Sequence, residues 1–297
     1  MSIIIAKIEN NQCVFISDTR VSINNGDKTI TGDNKLRMSP NQGVLKIHIL
    51  NPKICIAFAG NVEFSIDLIH SFIKLKPDSL ENILLYFHDK LKFENDNSEF
   101  ILGIIKDDKT PILFKVSSDK IEQNNSFWIG EKTAFSEFQS FFLKSTKTDS
   151  IIEKTKNAFN EMIKSTKIET VGDFIISAFL NTNINSFIYE EKLEVYGGYG
   201  IIKIKANESE ALPEGTTEEG SFTVSNLISN NTGKPAVCLF FSKGKIGYLY
   251  RSISETNINA KPIIIDGNYH EVIEKVKLIY DIELIGMRID SGKFYFR

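Results

Sequence analysis

A chain of 297 residues with 42% hydrophobic and 25% charged residues can bury a sizeable core, which excludes a disordered, collagenous or coiled-coil architecture and allows one large domain or two unequal ones. Thirty-five Lys and Arg against 38 Asp and Glu give a net charge of −3 with no long block of one sign, so nucleic acid is not the expected partner. Cys13, Cys55 and Cys238 are far apart and odd in number, the usage of buried thiols in a reducing compartment, and a cytoplasmic location is expected. No apolar run approaches the ~20 residues that span a bilayer. The N-terminus lacks a basic segment, a long apolar segment and a small-residue cleavage site, so neither a membrane partner nor a cleaved leader is expected.

In chain order, Ser2 to Glu9 is an apolar β-branched run, Asn10-Asn11 is a turn signal, and Gln12 to Ser17 is a second run ending in Asp18-Thr19-Arg20. This predicts a hairpin. Ile30 to Met38, Val44 to Ile49 and Lys53 to Ala59 are strand-like, the last stopping at Gly60. The period then changes: Val62 to Leu75 has helical spacing, and Asp78-Ser79-Leu80-Glu81 opens a second helix with a capping signature. Strands return at Phe100 to Ile105, Pro111 to Val116 and Phe127 to Ile129, followed by helices over Thr133 to Leu143 and Ser150 to Ile163. Phe174 to Leu180 and Phe187 to Tyr189 are again strand-like. Blocks of strands followed by pairs of helices predict a largely antiparallel α+β sandwich. Glu208 to Ser221, rich in Glu, Thr and Gly, interrupts the pattern as a linker does, and a boundary is placed there, dividing the chain into 1–205 and 206–297. Strands are expected at Val237 to Phe241, Ile246 to Tyr250 and Pro262 to Ile265, a helix at Tyr269 to Tyr280, and a closing hairpin from Ile285 to Ile289 and Lys293 to Arg297.

The residue after Met1 is Ser2, small enough for Met1 to be removed. A Ser with a free α-amine carries a nucleophile and a base together, because an N-terminal amine titrates near 7.7–8.0 and its neutral form accepts the hydroxyl proton. A Lys ammonium nearby lowers that value further by like-charge repulsion, and a carboxylate is needed to hold the Lys.

Asp18 falls at the end of the second strand, Lys35 follows in Gly32-Asp33-Asn34-Lys35-Leu36, and Gly60 closes Ile56-Ala57-Phe58-Ala59-Gly60 before a helix. This order resembles the proteasome β-subunit and the bacterial proteasome-like subunits, members of the N-terminal-nucleophile (Ntn) hydrolases. The resemblance covers residues 2 to 75 by motif and the rest of the first 205 by element order. It implies a four-layer αββα sandwich with a C-terminal α+β extension of unknown role. It also implies acyl transfer, as in threonine- or serine-type endopeptidases. Ser2 attacks an amide carbonyl, its α-amine takes the proton, Lys35 held by Asp18 tunes the amine, and the Gly60 N–H receives the oxyanion. A peptide or other amide substrate, a homo-oligomer and an ATPase or regulatory partner belong to the same implication, with no cofactor and no metal. Around Glu169-Thr170-Val171-Gly172-Asp173 the likeness is partial, with Glu169 or Thr170 as supporting residues, and Glu131 and Lys132 stand where the family commonly has a small hydroxyl residue.

Other readings remain open at this stage. Asp18-Thr19-Arg20 reads equally as a turn with local side-chain bonds, Lys35 as a solvated edge lysine, and Gly60 as a tight strand-to-helix turn. A catalytically silent scaffold of the same fold and a small-molecule amidase are the alternative functions. His48, His70, His88 and His270 lack metal-ligand spacing. Gly197-Gly198-Tyr199-Gly200 and Thr232-Gly233-Lys234-Pro235 fit neither phosphate-loop pattern, and Phe135, Phe138, Phe141 and Phe142 read as core or a subunit contact.

Overall fold

The computed structural model describes residues 2–19, 43–77, 79–145, 150–165, 171–172, 174–190, 198–199, 221–222, 224–231, 233–241, 245–290 and 293–296. The first hairpin joins β1 (Ile3–Glu9) to β2 (Gln12–Asp18), in the register Ile4↔Ser17 to Glu9↔Gln12. Its turn residues Asn10 and Asn11 both have positive φ, 51° and 59°, the handedness that a two-residue hairpin needs and that Asn tolerates. Five-stranded antiparallel pairing builds the first sheet around this hairpin, in the order β10-β9-β2-β1-β8, with β8 (Ser126–Gly130), β9 (Ile175–Asn181) and β10 (Ser186–Tyr189).

A second antiparallel sheet has the order β3-β4-β5-β6-β7, from β3 (Ile47–Asn51), β4 (Ile54–Ala59), β5 (Glu99–Ile105), β6 (Pro111–Val116) and β7 (Ile121–Gln123). Strand period decides which residues of the two sheets meet. Ile4, Ala6 and Phe15 of the first sheet and Ile47, Cys55, Ala57 and Ile101 of the second share one buried cluster. Residues of opposite parity face helices. Ile3, Ile5 and Ile16 pack under α3 (Lys132–Lys144) and α4 (Ile151–Ser165), while Ile56, Phe58 and Leu102 pack under α1 (Val62–Leu75) and α2 (Leu80–Glu94). Because both faces of these strands are covered, they read as continuous apolar runs and not as an alternation.

β11 (Gly198–Tyr199) and β12 (Ser221–Phe222) pair as a short ladder. A third sheet follows in the order β16-β15-β14-β13-β17-β18, made of β13 (Val224–Ser229), β14 (Ala236–Phe241), β15 (Ile246–Arg251), β16 (Ile263–Asp266), β17 (Ile285–Asp290) and β18 (Lys293–Phe296). Helix α5 (Tyr269–Tyr280) starts with a capping box between Asn268 and Glu271 and covers one face through Val272, Ile273 and Val276. The other face, through Ile228, Val237, Leu239, Phe241, Ile246, Tyr248 and Tyr250, enters the same cluster as the inner faces of the first two sheets.

The described architecture is mixed α+β with three antiparallel sheets, as the block pattern predicts. The helices over Val62–Leu75 and Tyr269–Tyr280 fall on their predicted bounds. Strands β7 and β13 lack a sequence-level expectation. β7 is three residues long, and in β13 Ser225, Asn226 and Ser229 dilute the apolar signal. The expected strand at Ile30 to Met38, the loop expected at Glu208 to Ser221 apart from Ser221, which opens β12, and the boundary between 205 and 206 lie outside the described residues.

Candidate active site

The hairpin that opens the fold brings the start of β1 beside the end of β2, so that Ile3, the residue after Ser2, meets Asp18. Asp18 is fully buried, and its carboxylate is held from three sides. Oδ1 accepts from the Ile3 backbone N–H at 3.1 Å and from the Lys46 ammonium at 2.9 Å, while Oδ2 accepts from the Gly172 N–H at 3.0 Å. One oxygen thus bridges a buried cation to the amide that follows Ser2. Lys46 is itself only 2% exposed, so the pair is removed from water on both sides. Burying two ions is tolerated where geometry is good and further hydrogen bonds satisfy the remaining lone pairs, which the Ile3 and Gly172 amides do here.

Lys35, the lysine expected from the sequence, lies outside the described residues. Lys46 is the lysine that meets Asp18 among them, and the sequence carries a signal for it. In Val44-Leu45-Lys46-Ile47-His48-Ile49 a lone cation interrupts an apolar strand, an expensive placement unless a carboxylate is waiting. Lys35, by contrast, sits in a polar context. The chain leaves the described hairpin at Thr19 and re-enters beside it, since the Val44 N–H donates to the Thr19 carbonyl at 2.9 Å. Asp18 and Lys46, 28 positions apart in the chain, are therefore brought to the same place.

Ser2 is half-buried and is fixed from the opposite side by the end of β8. The Glu131 N–H donates to the Ser2 carbonyl at 2.7 Å. Gly130 has φ +102°, and a Cβ there would lie 1.8 Å from the Ser2 oxygen, so this close approach requires glycine. Glu131 caps α3 by accepting from the Thr133 N–H. Glu131, one of the two residues standing where the resemblance leads one to expect a small hydroxyl group, thus holds Ser2 through its backbone N–H. Of the supporting candidates, Glu169 and Thr170 lie outside the described residues, while Gly172 of the same segment reaches the site through its amide.

Gly60 belongs to the second sheet, at the junction of β4 and α1. Its φ is +124°, and a Cβ would fall 2.5 Å from the Ser98 hydroxyl. The neighbouring Asn61 N–H donates to that hydroxyl at 2.9 Å, and the Asn61 side chain caps α1 by accepting from the Phe64 N–H. The turn is therefore locked, with glycine obligatory, at a helix N-terminus whose partial positive charge suits an anion.

None of the thiols is suited to nucleophilic chemistry near neutral pH. Burial pushes Cys13 and Cys55 far up and Cys238 up to about 12. Among the described residues no group of three or more His, Cys, Asp or Glu is placed to hold a metal ion. No described helix is long and apolar enough to cross a membrane.

No protein-family model matches the chain, and no curated protein matches it. Among solved structures it is similar to one described as an Anbu (Gly-1) mutant from Hyphomicrobium sp. strain MC1, with 14% sequence identity, a TM-score of 0.48, and coverage of 64% of this chain and 85% of that one. At that level the likeness carries no functional inference.

Proposed function

We propose that the chain is an Ntn-type hydrolase of peptide or other amide bonds, with Ser2 as the nucleophile once Met1 is removed. The observation that carries this is the Asp18 carboxylate, which joins the buried Lys46 ammonium to the amide following Ser2. In this reading Lys46 takes the role first expected of Lys35. The Ser2 hydroxyl attacks the amide carbonyl while its own α-amine accepts the proton. That proton then passes to the leaving amine, and water releases the acyl group to regenerate the hydroxyl. The positive charge on Lys46 keeps the α-amine partly neutral at working pH. The Gly60 N–H is assigned to the oxyanion, a contribution of about 2.7–4 kcal/mol per donor.

The same reading treats residues 1–205 as a four-layer αββα sandwich and 206–297 as an added α+β unit. The separate helix-facing clusters on the outer sides of the first two sheets support the layering. A cytoplasmic homo-oligomer is part of the proposal.

The test is labelling with an amine- and hydroxyl-reactive electrophile of the kind that cyclises on an N-terminal nucleophile, followed by peptide mapping. Ser2→Ala and Lys46→Ala variants run beside it. Label on Ser2 that disappears in the first variant and falls at least tenfold in the second is expected. Label elsewhere, or undiminished label in both, would sink the proposal. Intact-mass measurement settles the prior step, because retained Met1 or an acetylated Ser2 removes the base.

A further inference from the structure

Lys46 is bracketed by the C-terminal region. The Leu45 N–H, immediately before it, donates to the Ala260 carbonyl at 2.9 Å. The Ile47 carbonyl, immediately after it, accepts from the Tyr189 hydroxyl at 2.8 Å, and that hydroxyl is in turn 2.7 Å from Ser252 Oγ. One residue further, His48 Nδ1 accepts from the Ile253 N–H at 3.2 Å. Residues 252–260 thus bond Leu45 and His48 directly and Ile47 through the Tyr189 hydroxyl, on both sides of the lysine. Beyond the strap, Tyr189 is clasped to the same region through its own backbone. Its N–H donates to Asn230 Oδ1 at 2.8 Å, and its carbonyl accepts from Asn230 Nδ2 at 3.1 Å. Tyr189 and His48 are fully buried and Ser252 nearly so.

A long, flexible lysine side chain loses rotamer freedom when it is fixed, and its charge acts on a neighbouring amine only if its stem is held. The Asp18 carboxylate fixes the tip of this side chain. Its backbone is held by β4, whose Phe58 N–H donates to the Lys46 carbonyl at 3.2 Å, while residues 252–260 bond the residues that flank it.

We infer that the segment Ser252–Ala260 is a positioning strap for Lys46, with Ser252 acting through Tyr189. This gives the C-terminal region a part in the site and not only an added sheet. The inference rests on the proposed role of Lys46, although the strap itself is a statement about where that lysine is held.

The test compares Tyr189→Phe and Ser252→Ala with Tyr269→Phe in the full chain. Tyr269 also donates a hydroxyl to a backbone carbonyl, that of Gly286 at 3.1 Å, but on α5, so its variant controls for the general cost of a lost buried hydrogen bond. Two readouts are taken: the pH midpoint of Ser2 labelling, and the side-chain ammonium resonance of Lys46 in lysine-labelled protein, assigned with Lys46→Arg. In Tyr189→Phe and Ser252→Ala the resonance should shift. The labelling midpoint should rise by about half a pH unit or more as the like charge loosens. Tyr269→Phe should move neither, even where its melting temperature falls as far. If the wild-type chain is never labelled at Ser2, yet the resonance shifts in the two strap variants alone, the strap stands and the hydrolase reading fails. If both strap variants behave like Tyr269→Phe in both readouts, the strap is refuted. Ser252→Ala removes only one hydroxyl, so the comparison survives should Tyr189→Phe fold poorly.

Discussion

Asp18 is the residue on which the candidate site depends, and its replacement separates charge from shape. Asp18→Asn keeps the volume but removes the Asp18 charge from the buried Lys46 ammonium. Breaking a buried pair in this way costs about 3–5 kcal/mol. The urea midpoint of Asp18→Asn should drop accordingly, with an unchanged slope. A loss below about 1 kcal/mol would mean that water reaches Lys46. A second residue makes the fold pH-sensitive. His48 is fully buried, stacked on Phe58 at 6.0 Å, and burial pushes its pKa from 6.5 down to about 3, offset only in part by a backbone contact at Leu45. The folded state therefore holds His48 neutral, while the unfolded chain takes up a proton below about 6.5. Stability from this group is complete above that pH and is lost as pH falls toward 3, by up to several kcal/mol. His48→Asn, whose side-chain oxygen can accept the Ile253 N–H, should flatten that acid limb in urea melts recorded across the window. An equally steep limb in the variant would assign the sensitivity to other groups.

At the scale of elements, the distance between the two main sheets is set by a glycine. A Cβ at Gly103 of β5 would lie 2.6 Å from Phe15 Cε2 of β2 and 3.1 Å from the Phe187 ring of β10, and those two rings meet edge-on at 6.0 Å. Gly103→Ala must push the sheets apart or displace Phe15, overpacking that costs about 1–3 kcal/mol. Thermal melting should show the loss, and labelling at Ser2 should slow as the β1–β2 hairpin shifts. An alanine accommodated without loss would show that the rings have room to rotate. Much at this scale was legible in the sequence. The Asn10-Asn11 turn, the capped helices and the strand-to-helix stop at Gly60 all depend on contacts within a few residues. Strands β7 and β13 were not legible, because Glu122, Gln123, Ser225 and Asn226 join a ladder through backbone hydrogen bonds that neighbouring strands supply.

Over the whole molecule, the three sheets meet in one buried cluster. Seven side chains of the C-terminal sheet, from Ile228 to Tyr250, pack into it. At roughly 1.5–3 kcal/mol for each large apolar side chain, separating the C-terminal sheet would expose surface costing on the order of 10 kcal/mol or more. A chain ending at residue 205 is therefore expected to lose cooperative melting and to bind hydrophobic dye, while the full chain melts in a single transition. Two resolved transitions in the full chain would instead favour independent units.

The sequence by itself determined the period of each long element, the hairpin that brings Ile3 to Asp18, and the glycine that ends β4, because each depends on local sterics and short-range burial. It also contained, unread, a cation set in an apolar strand. Only the tertiary structure decided that Lys46 meets the carboxylate and that residues 252–260 bond the residues flanking it. Both depend on contacts between segments far apart in the chain, where many charged residues are chemically equivalent and packing alone selects one.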